Sequence, residues 1–358
     1  RGEIKRLVVN VPPRSSKPVC QDERVWVRGK GDIPLREVVV GDEVWTHRQR
    51  WRKVLAVHEQ GALPVKRLIT EQGRTILAEG THPFLTPEGW REVGMLAPED
   101  VVGISSGADP EAGGVSLEEA RLLGYLIGDG RCAGTPNITC GDETEAADIR
   151  KCIEAVGFTY RDTCYSYTRS KVPLRRISVK AKELPAGERR TKGYRGPVRQ
   201  WMEARQLDSK DSYTKFVPEC IFRADNEVVA NFLGAYWACD GHIAAKGAKK
   251  SGSARTDFSL GCASVSNQLL LDIQLLLTRF GISSNVRRHE ANLKTRRQGD
   301  TYVSYTLDIR GMDNAWRFLH SIPVHHTKFE KLRYLTPRRS DFDRPIYGEV
   351  VRSVQDAG

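Results

Sequence analysis

Two apolar segments of the chain end in the same acidic dipeptide. Residues 122–130 read Leu-Leu-Gly-Tyr-Leu-Ile-Gly-Asp-Gly, and residues 233–241 read Leu-Gly-Ala-Tyr-Trp-Ala-Cys-Asp-Gly. Small residues within each segment would let two such helices pack closely, so that Asp129 and Asp240 meet at one end of their interface. Two adjacent carboxylates repel each other unless a divalent cation lies between them. A single Asp-Gly is more often the turn that ends a helix, but its recurrence favours a metal site.

The acidic segments head two halves with the same predicted order of elements. Each half begins with an apolar helix, Leu117–Ile127 or Val228–Ala238, and a capping box at Ser116 and Glu119 opens the first. A strand, a helix that ends before a glycine, another strand and a closing helix follow in both halves. The period of about 110 residues is too long for a solenoid and indicates an internal duplication.

The paired segments, with this order of elements, resemble the motifs of the LAGLIDADG homing endonuclease family over residues 116–335. The resemblance implies an αββαββα fold in each half, with a saddle-shaped sheet that lies on double-stranded DNA. It implies metal-dependent, site-specific cleavage of both strands. Because both motifs lie in one chain, a monomer with internal pseudo-twofold symmetry is expected.

The same resemblance assigns roles to individual residues of the two motifs. Asp129 and Asp240 match the acids that bind Mg²⁺ or another divalent cation. The backbone carbonyls of Gly128 and Cys239 are expected to add metal contacts. Lys215 and Lys328 match the catalytic lysine of each half. The spacing supports this match, because Lys215 lies 86 residues after Asp129 and Lys328 lies 88 residues after Asp240. Such lysines could stabilise the charge on a reacting phosphate or help to activate water, and a solvated surface lysine is the alternative at either position. In the second motif, Trp237 and Cys239 replace more usual residues and leave the metal-binding acid in place.

The charge balance favours a polyanionic partner. The chain has 56 Lys and Arg against 45 Asp and Glu, a formal net charge of +11, and nucleic acid is the commonest partner for such an excess. Contacts of basic side chains with phosphates would supply affinity, although a charge run alone is usually a solvated face. The candidate DNA-binding residues are Arg169, Lys171, Arg175, Arg176, Lys180, Lys182, Arg189, Arg190, Lys192, Lys246, Lys249, Lys250, Arg287 and Arg288.

Residues 20–104 contain short apolar segments separated by turns, which predicts a compact all-β unit. The predicted strands include Val38–Trp45 and Arg91–Met95. Residues 105–114 are small, polar and glycine-rich, as is typical of a linker.

Three parts of this β-rich stretch resemble the N-terminal half of an intein, which has the Hint fold. They are Cys20, residues 38–44, and residues 73–90 with His82. The resemblance implies that the Cys20 thiol attacks the preceding carbonyl in an autocatalytic N–S acyl shift, and that His82 protonates the scissile nitrogen. Glu79 stands where the family usually has Thr, which bears on the efficiency of this step.

The predicted architecture is α+β, an all-β Hint domain interrupted by a duplicated endonuclease domain. Residues 1–19 are assigned to an upstream host segment with a weak resemblance to the phosphate-loop entry of phage terminase-like ATPases. Residues 20–108 form the N-terminal part of the Hint domain, and residues 341–358 begin its C-terminal part. Residues 114–337 form the endonuclease, with repeats at about 114–222 and 223–337. Because no terminal His-Asn is present, complete splicing is not expected of this chain.

Other functional classes are disfavoured or stay open. No apolar run approaches the roughly 18 residues that span a bilayer, and no signal peptide is expected. The eight cysteines form no C-x-x-C pair, so neither a zinc site nor a disulfide framework is predicted. An intracellular protein of a phage or microbial host is expected. The alternatives are a splicing element whose endonuclease binds DNA without cutting it, an RNA maturase, and an ATPase that includes residues 1–19.

Overall fold

The computed structural model describes residues 2–8, 18–165, 174–182, 196–246, 257–292, 301–330 and 346–357. The first twelve strands lie before residue 106, together with two short 3₁₀ helices at Leu35–Glu37 and Val93–Met95. These strands are β1 (Gly2–Val8), β2 (Pro18–Cys20), β3 (Arg24–Val27), β4 (Gly31–Pro34), β5 (Glu43–Trp45), β6 (Trp51–Lys53), β7 (Ala56–Leu63), β8 (Val65–Thr70), β9 (Thr75–Glu79), β10 (Pro83–Thr86), β11 (Gly89–Glu92) and β12 (Val101–Ser105).

The middle of the chain folds as two repeats, which we call the repeat unit (residues 115–330). The first repeat contains α1 (Leu117–Ile127), β13 (Gly130–Arg131), β14 (Asn137–Cys140), α2 (Glu143–Ala155), β15 (Thr159–Tyr165), β16 (Leu174–Lys180) and α3 (Pro197–Ala204), and α4 (Glu219–Phe222) follows it. The second contains α5 (Asn226–Asp240), β17 (Gly241–Lys246), β18 (Asp257–Ser264), α6 (Asn267–Thr278), β19 (Asn285–Asn292), β20 (Thr301–Arg310) and α7 (Met312–Ser321). The described chain ends with α8 (Thr327–Glu330) and β21 (Ile346–Asp356).

The two repeats have the same sheet topology. The strand order is β13-β14-β16-β15 in the first sheet and β17-β18-β20-β19 in the second, with antiparallel pairing throughout. Each repeat therefore has the αββαββα order that the resemblance implies, with one more strand on each side of the second helix than the sequence pattern alone predicts.

Matching local signals begin the four long helices of the repeats. A cap side chain accepts a hydrogen bond from the backbone N–H three residues later in each case, which satisfies one of the donors left open at a helix start. The capping residues are Ser116, Asp142, Asp225 and Ser266. The capping box predicted at Ser116 and Glu119 is thus confirmed for one of its two hydrogen bonds, the one that the Ser116 side chain accepts from the Glu119 N–H.

Matching glycines end the second helix of each repeat. Gly157 follows α2 with φ +92°, and Gly281 follows α6 with φ +66°. The next residue in each case donates a backbone hydrogen bond five residues back, Phe158 to Ile153 and Ile282 to Leu277. This left-handed termination suits glycine, because other residues are strained at positive φ.

The strand near the end of the chain joins the strands near its beginning. β21 lies between β12 and β8 in a seven-stranded sheet of order β12-β21-β8-β9-β2-β1-β7. The fully buried Glu349 of β21 accepts hydrogen bonds of 2.8 Å from Thr70 Oγ1 and from Arg74 Nε. The β unit (residues 2–8, 18–105 and 346–357) is therefore interrupted in sequence by the whole repeat unit.

The hydrophobic cores follow the same division. One large buried cluster runs through both repeats and includes nearly all of α1 and α5. The β unit has two smaller clusters, one around Val27, Ile33 and Val44 and one around Leu68, Val102 and Val351. In the part of the chain that the structure describes, no helix is both long and apolar enough to cross a membrane.

Two predicted strands are wrong in extent. The strand expected at Val38–Trp45 is broken at Gly41, which has φ +99°, and only Glu43–Trp45 pairs as a strand. The Asp42 carboxylate accepts a hydrogen bond from the Val39 N–H and so stabilises the turn. The strand expected at Arg91–Met95 ends at Glu92, because residues 93–95 form a 3₁₀ helix.

Candidate functional site

Helices α1 and α5 cross through their small residues. A Cβ atom added at Gly124 would lie 2.5 Å from the carbonyl oxygen of Phe232 and 2.8 Å from Cβ of Ala235. One added at Gly128 would lie 2.5 Å from Cβ of Cys239. Since real Cβ atoms do not approach other heavy atoms so closely, this crossing requires glycine at position 124 of α1 and at position 128, which ends it.

The crossing brings the two predicted metal-binding acids to the same end of the helix pair. Gly128 ends α1 and contacts Cys239, and the acids Asp129 and Asp240 are the next residues on each chain segment. Burial raises the pKa of the Cys239 thiol, and the Glu145, Asp129 and Asp240 carboxylates raise it further. Both acids therefore act electrostatically on one thiol at the interface.

Lys215 is buried beside the first of these acids. Its Nζ donates hydrogen bonds to the carbonyl oxygens of Gly128 at 2.9 Å and Gly130 at 2.8 Å, the residues on either side of Asp129. The predicted lysine thus lies against the predicted metal-binding turn. The Gly128 carbonyl, which the resemblance assigns to a metal, is in this structure an acceptor for Lys215.

The segment that carries Lys215 is held by the second repeat. The hydroxyl of Ser266, the N-cap of α6, donates a hydrogen bond of 2.7 Å to the Lys215 carbonyl. Asp272 Oδ2 on α6 accepts a hydrogen bond of 3.0 Å from the Val217 N–H. Lys215 therefore bridges the acidic turn of one repeat and a helix of the other.

The other predicted lysine lies on a corresponding segment. Thr327, the first residue of α8, donates a side-chain hydrogen bond to Asp142, the N-cap of α2. Each lysine-bearing segment thus contacts the cap of the second helix in the opposite repeat. Lys328 follows Thr327 in α8, and its side chain lies outside the described part of the chain.

A third carboxylate, which the sequence analysis missed, lies beside Asp129. Ligand atoms of Asp129, Glu145 and Cys239 all lie within 4.8 Å of one another. Glu145 is only 3% exposed, and its Oε1 lies 3.4 Å from the Cys239 Sγ. The signal was available, since Glu145 occupies an apolar-face position of α2 with Ile149 and Ile153. Two carboxylates so close together suit a divalent cation.

Strand alternation separates the adjacent basic residues of the first sheet. On β16, Ile177 and Val179 are buried, so Arg175 shares their face while Arg176 and Lys180 lie on the opposite one. Arg175 accordingly forms ion pairs with Glu143 of α2 and Asp162 of β15. Arg176, Lys180 and the nearby Lys182 are exposed. The open face also includes Arg161 of β15, opposite Ser178, which the sequence analysis missed.

The second sheet repeats this separation. Val286 is buried on β19, so Arg288 shares its face and pairs with Glu290, while Arg287 lies exposed on the opposite face. On that open face Arg287 is opposite Thr306, which also bonds to His289. The other predicted contacts Arg169, Lys171, Arg189, Arg190, Lys192, Lys249 and Lys250, and the side chain of Lys246, lie outside the described residues.

The two predicted Hint residues lie in neighbouring parts of the β unit. Cys20 is buried at the end of β2, where Val19 pairs with Ala78 of β9. His82 lies four residues after Ala78, in the turn before β10, and its ring packs edge-on against Phe84. Burial raises the pKa of the Cys20 thiol, as does the nearby Glu23 carboxylate. The environment of Cys20 therefore favours the protonated form of its thiol.

Sequence comparisons relate most of the chain to parts of longer proteins. It is 32% identical to the replicative DNA helicase DnaB of Rhodothermus marinus over 327 residues, 86% of this chain and 32% of that protein. It is 28% identical to RecA of Mycobacterium tuberculosis, over 82% of this chain and 36% of that protein. It is 24% identical to the tRNA-splicing ligase RtcB of Pyrococcus abyssi, over 77% and 33% respectively. The chain thus spans about a third of the curated relatives it matches.

Solved structures show weak similarity to this chain. A mesophilic variant from the homing endonuclease I-DmoI has a TM-score of 0.34 at 15% identity, over 58% of this chain and 95% of that one. A complex of I-DmoI with DNA and Ca has a TM-score of 0.35 at 15% identity, over 57% and 88%. WhiA of Thermatoga maritima has a TM-score of 0.36 at 13% identity, over 64% and 63%.

A family model described as a LAGLIDADG-like domain matches residues 227–323. These residues contain all of α5 but its first residue, with its acidic motif, and the whole second repeat sheet. Residues 227–323 are thus similar to a LAGLIDADG-like domain and lie within a protein of mixed α/β fold.

Proposed function

We propose that this protein is a divalent-metal-dependent endonuclease that cuts both strands of duplex DNA at a specific site. The proposed enzyme acts inside the cell. It acts as a monomer, because its two repeats supply one acid for each strand. The contact between Gly128 and Cys239 carries this proposal, since it brings Asp129 and Asp240 to one end of the helix crossing. An acid on each side of a pseudo-twofold axis matches the two strands of a duplex.

The side chains around Asp129 suit phosphodiester hydrolysis. A divalent cation at the acids supplies Lewis acidity at the reacting phosphate. Lys215 holds the carbonyls on either side of Asp129 and so fixes the turn that presents the carboxylate. An ammonium group has three donors, and two are used by carbonyls of the described residues. The third can reach a phosphate oxygen, where its charge stabilises the transition state.

The open faces of the two repeat sheets suit a duplex. Arg176 and Lys180 in the first sheet and Arg287 in the second lie exposed among polar neighbours such as Thr306. Phosphate contacts from such cations supply affinity, and the polar side chains between them can read base edges. Arg175 and Arg288 are assigned to ion pairs within the protein instead.

We further propose that the β unit is a Hint domain of the intein type, interrupted by the endonuclease. Two observations support this proposal. β21 completes the sheet that begins before the repeat unit, so the endonuclease is an insertion in one sheet. Three proteins with different names each match this chain over about a third of their length, as expected for an element carried within host proteins. Cys20 would be the nucleophile of the N–S acyl shift and His82 its acid.

A cleavage assay tests the nuclease. The substrate is a plasmid carrying the host gene without the inserted element, and the control plasmid carries the interrupted gene. With Mg²⁺, the protein should make one double-strand cut at the insertion junction of the first plasmid and none in the second. Tight binding without any cut would support a splicing element with an inactive endonuclease. Tighter binding to structured RNA than to the duplex would support the maturase alternative.

A further inference from the structure

The pseudo-twofold symmetry is broken beside the first acidic turn. Cys239 precedes Asp240 as Gly128 precedes Asp129, and Glu145 is the third residue of α2 as Leu269 is of α6. The contact of Cys239 with Glu145 therefore has Gly128 and Leu269 as its symmetry counterpart. The thiol of Cys239 and the buried carboxylate of Glu145 lie on one side of the pseudo-twofold axis. On the other side, Gly128 has only a hydrogen atom and Leu269 has an isobutyl group.

The geometry of the polar side fits two ligands of one metal ion. A tetrahedral ion with a sulfur ligand at about 2.3 Å and an oxygen ligand at about 2.1 Å separates those two atoms by about 3.6 Å. Cys239 Sγ and Glu145 Oε1 are 3.4 Å apart. Asp129 brings the set to three ligand atoms within 4.8 Å, and its exposed carboxylate can turn to close the remaining gap.

We propose that Cys239, Glu145 and Asp129 form a binding site for a thiophilic divalent cation such as Zn²⁺. A thiolate ligand selects such ions over Mg²⁺, which prefers oxygen ligands. Binding forms a metal–sulfur bond at Cys239 Sγ and releases the thiol proton to solvent. The site has no counterpart at Gly128 and Leu269. A cation held there is bound by the Asp129 carboxylate. It therefore competes for this carboxylate with the Mg²⁺ that the proposed DNA cleavage needs.

Cobalt absorbance tests this site without DNA, so its outcome does not depend on the proposed nuclease activity. Co²⁺ is titrated into the whole chain, and the near-ultraviolet thiolate-to-cobalt band is recorded. One band that saturates at a single equivalent is expected. The band should disappear in Cys239→Ser, and Glu145→Gln should weaken Co²⁺ binding by at least about tenfold.

Two control variants make the assignment specific. Cys164→Ser removes an exposed thiol on β15 and should leave the band unchanged. Asp240→Asn, which is expected to abolish cleavage, should also keep the band, so the two proposals fail separately. Absence of the band in the unchanged protein, or its persistence in Cys239→Ser, would overturn the inference. If Cys239→Ser does not fold, unchanged Co²⁺ affinity in Glu145→Gln would overturn it as well.

Discussion

Lys215 donates a hydrogen bond of 2.9 Å to the carbonyl oxygen of Gly128, although 87 residues separate the two. A second bond reaches Gly130, so one buried ammonium group closes the turn around Asp129. The same residue is anchored through its own carbonyl to Ser266 of the other repeat. The position of the acid thus depends on contacts between both repeats, and this can be tested by single substitutions.

Lys215→Met should destabilise the fold as well as stop cleavage. It keeps an apolar stem of similar length but leaves two carbonyls without their donor. The free energy of unfolding should fall by about 1–3 kcal/mol, measured by urea denaturation. Lys151→Met, on the exposed face of α2, is the control and should change stability by less than about 0.5 kcal/mol. Full cleavage by Lys215→Met would remove this lysine from the mechanism.

Gly124→Ala should force α1 and α5 apart. The new methyl group would meet the Phe232 carbonyl at 2.5 Å, and a backbone atom cannot move aside as a side chain can. A loss of about 1–3 kcal/mol or more in unfolding free energy is expected. Gly113→Ala is the matched control, since nothing lies within 4 Å of its added Cβ. Equal stability of the two variants would contradict the close crossing.

The carboxyl of Asp272 predicts a pH dependence of stability. Burial raises its pKa to about 6, although bonds from Val217 and Gln268 lower it. In the unfolded chain an Asp has a pKa of about 3.9, so the folded state holds the proton more tightly. The stability that this proton contributes is complete below about pH 4 and is lost as the pH rises to about 6.

Asp272→Asn tests that dependence, because an amide oxygen can still accept the Val217 hydrogen bond. Between pH 4 and 7, the unfolding free energy of the unchanged protein should fall by about 2–3 kcal/mol relative to the variant. Urea titrations at several pH values measure the difference. Parallel stability curves for the two proteins would show that Asp272 has an ordinary pKa.

An ion pair joins the β unit to the repeat unit. Arg24 donates hydrogen bonds of 3.0 and 3.1 Å to the two carboxylate oxygens of Glu219, and its guanidinium lies 4.1 Å from the centre of the Phe222 ring. A double-mutant cycle with Arg24→Met and Glu219→Gln should give a coupling energy of about 1 kcal/mol. The exposed pair Arg199–Glu203 is the control and should give about 0.5 kcal/mol or less. Coupling no larger than the control would mean that the two units dock through other contacts.

The repeated parts of the fold were predictable because their signals are local and occur twice. Apolar helices with capping residues, and a glycine after the second helix, predict the helices and one strand on each side of the second helix, whereas the full αββαββα order was implied by the family resemblance. The prediction of a strand at Val38–Trp45 was wrong for a local reason too. Its apolar residues suggest a strand, but the Asp42 side chain and Gly41 favour a turn.

The site was predictable only in part. The family resemblance, supported by the spacing, paired Lys215 with Asp129, and Lys215 binds the carbonyls on either side of that acid. The sequence analysis missed Glu145 and the position of Arg161 on the open face of its sheet, because each depends on which side of a helix or strand faces its neighbour. Likewise the separation of Arg175 from Arg176 follows from strand alternation, which cannot be applied before the strand itself is fixed.

The most direct test of the central claim compares cutting with binding in two variants. Asp129→Asn and Asp240→Asn keep the shape of each side chain and remove a metal-binding charge. Each should slow double-strand cleavage by at least about a hundredfold, since metal stabilisation of the reacting phosphate contributes several kcal/mol. The dissociation constant for the duplex, measured without metal, should change by less than about tenfold. Equal losses of binding and cutting would contradict the assignment of these two acids as the metal ligands of a nuclease.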